Sequence, residues 1–482
     1  MKIGVFNLYW STFGGGEAQA GGVVDALASG HQVELLGPED IDLAMARERL
    51  GLSLDGVTFR RIASDQYAAT LASADYDLFI NHTYRSTAPN LSRHGLYFVM
   101  FPHPLEDVST LDQLARSAGK RMASPVRVLG GVMVRKGESL MVGPVALQIR
   151  PEVRSVELGV RASEPHTVSV VSVHRGAEVQ HVAVEGAARI SVPVVDGLAV
   201  IAPQFMGEAL DPDDALRLTD IWIDGARHAV APHSLAQRLE RPRARDFLAT
   251  YQRVVALSAY TQLWTKRRWG VESDIVSPPV KLRSPGSKEQ LIVSVGRFFG
   301  EQSGHSKRQL ELVRAFRQLI DGGLTGWRLI LIGGCAPADR EYAMSVRAEA
   351  EGLPVEVRLN APGAFVDASL AAASIYWHGA GYGSDLEAMP ERAEHFGIAP
   401  IEAMSAGAVP VVFDAAGPAE VVRPGVDGLV FRTLDELVSH TLRLIGDPVY
   451  RDTLAASARQ RSVLYNHEHF AANVRSLVER VG

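Results

Sequence analysis

Cysteine is nearly absent. Cys335 stands alone among 482 residues, which excludes an internal disulfide framework and cysteine-based zinc clusters and fits a reducing compartment. A basic field is missing as well: 49 Lys and Arg face 55 Asp and Glu, a formal net charge of −6. No overall positive surface is available to hold nucleic acid or an anionic membrane, so any anion has to be met locally. No apolar run approaches the roughly 18 to 20 residues that cross a bilayer, and the start, MKIGVFNLYW, lacks the cleavage-site end of a signal peptide. The sequence therefore predicts a cytoplasmic protein with at most peripheral membrane contact. Lysine is also scarce, 7 against 42 arginines with none after Lys307, so each one is conspicuous. What remains is ordinary globular composition, 46% hydrophobic and 22% charged, long enough for about two to four domains.

From Met1 to about Met122 short apolar runs (KIGVF, QVELL, DLFIN, LYFVMF) alternate with helical patterns such as Glu17 to Leu27. That alternation predicts a parallel sheet covered by helices, a Rossmann-like half. Between about Pro125 and Asp224 the texture changes to valine-rich segments of near period two, with turn residues between them and no room for a ten-residue helix. An inserted antiparallel β-sandwich is expected there. Helical texture returns at Leu235, and Pro278, Pro279, Pro285 and Gly286 make a stiff connector. From Leu291 a second βαβα pattern follows. The expected fold class is α/β: two Rossmann-like domains facing across a cleft, with the inserted sandwich. The domain reading is residues 1–124 with 225–280, the insertion 125–224, the second half 286–447, and terminal helices 448–482 that pack back toward the first half.

Chemistry concentrates at the ends of the apolar runs. The first run breaks into Gly14, Gly15 and Gly16 before a helix; glycines admit a ligand close to the backbone, and the free N–H groups of a helix start suit a phosphate. A tight turn without a ligand fits the same residues. The spacing is not GxGxxG and no acid ends the second strand, which argues against a nicotinamide dinucleotide. In the second half LIVSV runs into Gly296 and Arg297, with Lys307 at the start of the next helix. Two such cations can straddle a diphosphate, or be two solvated charges. In EHFGIAPIEAMSAG, Glu394 stands before a helix, Pro400 suits its first turn, and Glu402 lies about one turn inside. A carboxylate at a strand's edge can meet a sugar hydroxyl or a developing cation, one inside the helix can accept two ribose hydroxyls, and the amides of Gly397 and Ile398 can face a phosphate. Both glutamates also suit a helix dipole with no ligand.

Taken in order, GRF followed by Lys307, GWRLILIGG, and Glu394-x7-Glu402 with EAMSAG and VPVV resemble the nucleotide-sugar half of the retaining glycosyltransferases of family four, which have the GT-B fold. GGGE, FPHP and SAYTQLWTKRRWG ending in SPPV resemble that family's first half. The resemblance covers most of the chain outside the β-rich insertion. It implies that Arg297 and Lys307 grip the donor diphosphate with Gly397 and Ile398, that Glu394 contacts the donor sugar, that Glu402 holds the ribose, and that Gly15 and Gly16 face the diphosphate from the other domain. His103, in FPHP, matches the family's histidine near the anomeric centre, and base recognition would fall near Asn360 to Ala364. The acidic stretch Asp385 to Arg392, with Glu387 and Glu391, departs from the pattern: it either folds over donor or acceptor or is a solvated loop.

The activity implied is transfer of a sugar from a nucleoside-diphosphate sugar of UDP or GDP type to a hydroxyl acceptor, without a metal or other cofactor. Asp211 and Asp213 form a D-x-D triplet, yet they lie beside Pro212 after the insertion and not at a strand end of a nucleotide half, so no metal site is expected. The run Trp264, Lys266, Arg267, Arg268, Trp269 reads as a surface helix end in preference to a membrane dock. The alternatives are an epimerase or hydrolase of the same fold and a non-catalytic carbohydrate-binding scaffold. The insertion would serve support, self-association or partner binding.

Overall fold

The computed structural model describes residues 1–103 (save 13, 40, 63 and 65), 126–135, 138–162, 168–175, 178–195, 197–204, 216–229, 246–300 and 306–481. Asp211 and Asp213, and much of the return from the insertion, lie outside the described residues.

The first lobe is a seven-stranded parallel sheet in the order β17-β16-β5-β4-β1-β2-β3. Its strands are β1 (Lys2–Phe6), β2 (Gln32–Gly37), β3 (Thr58–Arg61), β4 (Leu78–Asn81), β5 (His94–Val99), β16 (Arg253–Ala256) and β17 (Asp274–Ile275), joined through α1 (Gly15–Ala28), α2 (Leu43–Leu50), α3 (Gln66–Ser73) and α4 (Ala259–Trp269). Strands such as LFIN are buried at every residue, which is why they read as continuous apolar runs: helices cover both faces. Ile3, Val5, Ile80, Phe98 and Val255 form one such core with Val23, Val24 and Leu27 of α1.

Ten strands, β6 to β15 (Val126–Ala229), interrupt that sheet between β5 and β16. They form one antiparallel sheet whose strands β10 (Glu178–Glu185) and β11 (Ala187–Val192), at opposite ends of the strand order, touch. The sheet thus folds over its own core of Leu147, Leu158, Val171 and Ile201, and the period-two pattern records one wet and one dry face.

The second lobe is a six-stranded parallel sheet, β20-β19-β18-β21-β22-β23: β18 (Glu289–Val295), β19 (Arg328–Gly333), β20 (Val355–Leu359), β21 (Ala373–His378), β22 (Val409–Phe413) and β23 (Leu429–Phe431). Its helices are α5 (Gln309–Asp321), α6 (Arg340–Glu349), α7 (Gly363–Ala372), α8 (Ile398–Ser405), α9 (Ala416–Val421) and α10 (Leu434–Gly446). Helix α5 shows how the sequence sets the packing: Leu312, Val313, Phe316 and Leu319 repeat at helical spacing and all are buried against Trp327 and Trp377. Burying each such side chain contributes about 1.5–3 kcal/mol. Helix α5 begins at Gln309, two residues beyond Lys307, because Arg308 takes a left-handed backbone as its N-cap.

After α11 (Pro448–Ser462), the last helix α12 (His467–Glu479) returns to the first lobe, where Phe470, Val474 and Leu477 join the α1 core. Between the lobes Leu257 and Val280 of the first side pack with Phe396, Ile401 and Met404 of the second. Glu420 on α9 accepts hydrogen bonds from the first-turn amides of α4, Ala259 (2.9 Å) and Tyr260 (2.5 Å). No helix among the described residues is long and apolar enough to cross a membrane.

Candidate active site

Both lobes turn the carboxyl ends of their parallel strands to one cleft. On the first side, β1 runs out into Asn7, and the Gly14–Gly16 turn is tied down by Glu17: its Oε2 accepts from the Gly14 amide (2.9 Å) and the Thr12 hydroxyl (2.6 Å), its Oε1 from Asn7 (3.4 Å). The glycine turn is therefore shaped by a buried acid, and the amides of Gly15 and Gly16 are first-turn donors without helical partners. A side chain on Gly15 would sit 3.1 Å from Cδ1 of Ile398, and one on Gly14 would sit 3.5 Å from Nη2 of Arg297. The two helix starts, α1 and α8, thus abut across the cleft, and Arg297 reaches over to the opposite loop.

On the second side Glu394 lies in the loop between β21 and α8. Its Oε2 is ion-paired with Lys307 Nζ and lies 3.3 Å from Nε2 of His378, the last residue of β21. Burial alone would raise the Glu394 carboxyl, but the Lys307 cation and the His378 bond outweigh it and hold the group well below the usual carboxylate range. Burial lowers His378, so the ring is neutral, and its Nδ1 is buried with no hydrogen-bond partner. Among the described residues no hydrogen bond reaches Glu394 Oε1, which leaves that oxygen for a ligand. Two features fix the loop. Gly397 takes φ 98, a left-handed conformation that favours glycine, and the Gly417 amide donates to the Glu394 carbonyl at 3.0 Å. A Cβ on Gly417 would stand 2.3 Å from Phe396 Cα, so only glycine lets α9 approach.

Lys307 reaches Glu394 by lying along Gly296, where a Cβ would be 2.6 Å from its Cγ. Arg297 is exposed, with its guanidinium over the Phe299 ring at 5.7 Å, and no carboxylate among the described residues pairs with it. Glu402, five residues into α8 counting from Ile398, is held by Arg283 Nη2 at 2.6 Å. Asn360 has a left-handed backbone and its side chain bonds the Cys335 amide (2.9 Å) and carbonyl (3.2 Å), bracing the loop expected to meet a base.

His103 follows β5. Its carbonyl accepts from Trp269 Nε1 at 2.9 Å and its ring meets Trp269 edge-on, while Arg268 Nη1 donates to the Pro102 carbonyl at 2.8 Å. Burial, with Arg85 and Arg268 nearby, lowers the ring's basicity, so His103 is neutral at pH 7. The aromatic and basic run on α4 thus does more than end a surface helix. Its arginines also meet the acidic stretch of the second lobe: Arg267 with Glu387 (3.0 Å), Arg268 with Glu391 (2.9 Å), and Tyr260 Oη donating to the Pro390 carbonyl (2.9 Å). That loop clasps α4 through these contacts, with Glu387 and Glu391 still exposed. Phe101 stacks on His395, centroids 4.1 Å apart, beside the clasp.

Lys307 and Glu394 are brought into direct contact, Gly15 and Ile398 face each other, and Arg297 stands over Gly14. Glu402 is placed deeper, on the connector side of α8. Three contributors escape a sequence reading: His378, Arg283 and Gly417. His378 carried the one available signal, its position at the carboxyl edge of an apolar strand. Among the described residues no group of three or more His, Cys, Asp or Glu could hold a metal ion.

Comparison with known proteins bears on the fold and on the second lobe. The family described as Glycosyl transferases group 1 matches residues 281–461, the connector and second lobe. A "GDP-Man:Man(3)GlcNAc(2)-PP-Dol alpha-1,2-mannosyltransferase" of Xenopus tropicalis is 28% identical over 197 residues, 39% of this chain and 37% of that one. Its Dictyostelium discoideum counterpart is 25% identical over 233 residues, 43% and 42% of the two chains. The chain spans less than half the length of these relatives. Among solved structures, Anabaena HepE with UDP and glucose superposes over the whole of both chains at a TM-score of 0.55 and 13% identity. Sucrose-phosphate synthase from Thermosynechococcus elongatus does so over 100% and 98% at 0.55 and 15%. The chain therefore has the GT-B fold, and its connector and second lobe carry a domain of the Glycosyl transferases group 1 family.

Proposed function

We propose that the protein moves a sugar from a nucleoside diphosphate to a hydroxyl acceptor with retention of anomeric configuration. The observation that carries this reading is the Glu394 carboxylate, ionised by Lys307 and His378, with one oxygen unused and set beside a helix start that faces the glycine turn of the other lobe. As the bond to the leaving diphosphate stretches, negative charge grows on phosphate oxygens. The amides of Gly397, Ile398, Gly15 and Gly16 and the Arg297 cation supply most of the positive charge in this scheme, with a smaller share from Lys307, which is paired with Glu394. Glu394 Oε1 orients a sugar hydroxyl and balances the cationic ring, and neutral His103 faces the anomeric side from the first lobe. The departing phosphate can take the acceptor proton. Glu402 accepts the ribose hydroxyls.

Two donors suit this site. The mannosyltransferase relatives name a GDP sugar, and HepE was solved with UDP. A thermal-shift panel of UDP, GDP and their sugars decides: a ligand at about 100 times its Kd stabilises by roughly 2.7 kcal/mol. Glu394→Gln should then abolish transfer while nucleotide still binds. Absence of any nucleotide shift in the parent protein would overturn the reading, and free sugar released at the full rate from donor alone would turn it into a hydrolase.

A further inference from the structure

The chain between β17 and β18 is more than a strap between lobes. It is fastened to the second lobe by several bonds: the Arg283 amide donates to Ser405 Oγ (2.8 Å), the Gly286 amide to the Ala371 carbonyl (3.1 Å), and Lys288 Nζ to the carbonyls of Ala371 (2.9 Å) and Ala406 (2.6 Å) at the ends of α7 and α8. Those bonds suffice to hold the segment. The Arg283 side chain is engaged elsewhere: Nη2 meets Glu402 Oε1 at 2.6 Å, Nη1 meets Asp367 on α7, and Nε is buried with no partner. A guanidinium left with an unsatisfied buried donor while it grips two carboxylates is poorly explained as a fastener. It is well explained as a fixed charge placed to act on Glu402.

Glu402 needs such a charge. Burial pushes its carboxyl above the usual carboxylate range and Asp367 adds to the rise, while Arg283 and Lys281 oppose it. The charge of Glu402 also reaches Tyr376 of β21, whose buried phenol bonds the Val295 carbonyl and stays protonated. A protonated Glu402 would offer a donor where a vicinal diol needs acceptors; only the ionised form presents two oxygens to two hydroxyls. Arginine stays charged at every working pH. Its grip on Oε1 fixes the carboxylate, and no hydrogen bond among the described residues reaches Oε2.

We propose that Arg283 is a positioning residue for the donor's ribose: by keeping Glu402 ionised and aimed, it sets the site's preference for a ribonucleotide over its 2′-deoxy counterpart. This rests on the reading of Glu402 as the ribose acceptor. The discriminating experiment is calorimetric titration of the full chain with UDP and GDP and with 2′-deoxy-UDP and 2′-deoxy-GDP, at pH 6.5 and 8.5. The parent protein should prefer the ribonucleotide it binds by about tenfold or more. Arg283→Met should lose about tenfold in ribonucleotide affinity with less than a twofold change for the deoxy form, and should regain part of that loss at pH 8.5 as Glu402 ionises. Arg283→Lys should keep most of the preference. Should Arg283→Met fold poorly, Arg283→Gln, which retains a hydrogen-bond donor without the charge, carries the same expectation. Equal loss for both nucleotides, or an intact preference in the variant, overturns the proposal and leaves the donor site standing. A parent protein that binds both forms equally, or neither, overturns the ribose role of Glu402 and this inference with it.

Discussion

Replacing Lys307 by Met tests the centre of the site through stability as well as turnover. Both members of the Lys307–Glu394 pair are largely buried, 13% and 22% exposed. Removing the cation leaves a carboxylate whose one remaining partner is the neutral His378. Breaking a buried pair in this way costs about 3–5 kcal/mol, and the remaining bond and partial exposure place this case at the lower end. For a lobe of this size about 3 kcal/mol corresponds to a fall in Tm of roughly 6–12 °C. The double variant Lys307→Met/Glu394→Gln, which removes the stranded charge, should recover most of that loss. The pH dependence carries a definite sign. In the parent, Glu394 sits below its unfolded value, so its contribution is complete above about pH 4.3 and disappears as pH falls through the lower folded value. In Lys307→Met burial dominates and the carboxyl titrates upward, so acid relieves the variant before it harms the parent, and the gap between them should narrow from pH 8 to pH 5. Thermal melts of the three proteins across that range decide the matter. A loss below about 1 kcal/mol, or a gap that ignores pH, would refute the buried-pair argument.

Three further outcomes follow from the same geometry. Gly417→Ala places a methyl group 2.3 Å from Phe396 Cα and should displace the Glu394 loop, cutting transfer by at least about tenfold at a Tm drop of a few degrees; an unchanged rate would show that the loop is not held there. His82 is fully buried against Phe98, neither ring nitrogen has a partner, and burial pushes it down to about 3. Its stabilising contribution is complete above about pH 6.5 and should fall by about 1.4 kcal/mol per pH unit below that, so urea midpoints of His82→Phe should show a flatter decline between pH 6.5 and 5, and an identical slope in the variant contradicts the reasoning. Reversing Glu387 and Glu391 to Lys should change stability by no more than about 1 kcal/mol per pair, because both glutamates are exposed, but should raise the KM for donor at low salt as the lobes repel; a KM equal to the parent's means the clasp does not govern closure.

The fold was largely legible because burial writes itself into period. LFIN and LIVSV are continuous apolar runs since their strands are covered on both faces, and the valine alternation after Val126 marks strands with one wet face. Glu394, Lys307 and the glycine turn were legible for a related reason: in a parallel sheet chemistry collects where strands end. Contacts between residues distant in sequence were not. Nothing in the segment KLRSPG announces that Arg283 meets a glutamate 119 positions later, and nothing in DAAGPAE announces that Gly417 carries the Glu394 loop on its amide. The acidic stretch before Glu394 read equally as a lid or a solvated loop, since its partners, Arg267 and Arg268, belong to the other lobe and only closure of the two brings them within 3.0 Å.

The two cations expected on the diphosphate turn out to be differently bound, and that difference assigns them different work. Lys307 is already neutralised by Glu394, so its charge is largely absorbed before a donor arrives; what it contributes is an ionised, oriented carboxylate and a lobe that resists loss of either partner. Arg297 is exposed and unpaired among the described residues, with its guanidinium at the glycine turn of the opposite lobe. An unpaired guanidinium retains its full charge for an arriving anion and can grip two phosphate oxygens at once. In the proposed reaction, charge neutralisation of the leaving group therefore falls chiefly to Arg297 and the facing helix starts. On this argument Arg297→Lys is not a conservative change: it should weaken nucleotide binding and turnover together, whereas Lys307→Met should damage turnover and stability more than nucleotide affinity. Titration of the nucleotide into both variants separates the two roles, and equal losses of affinity would return the pair to a single shared task.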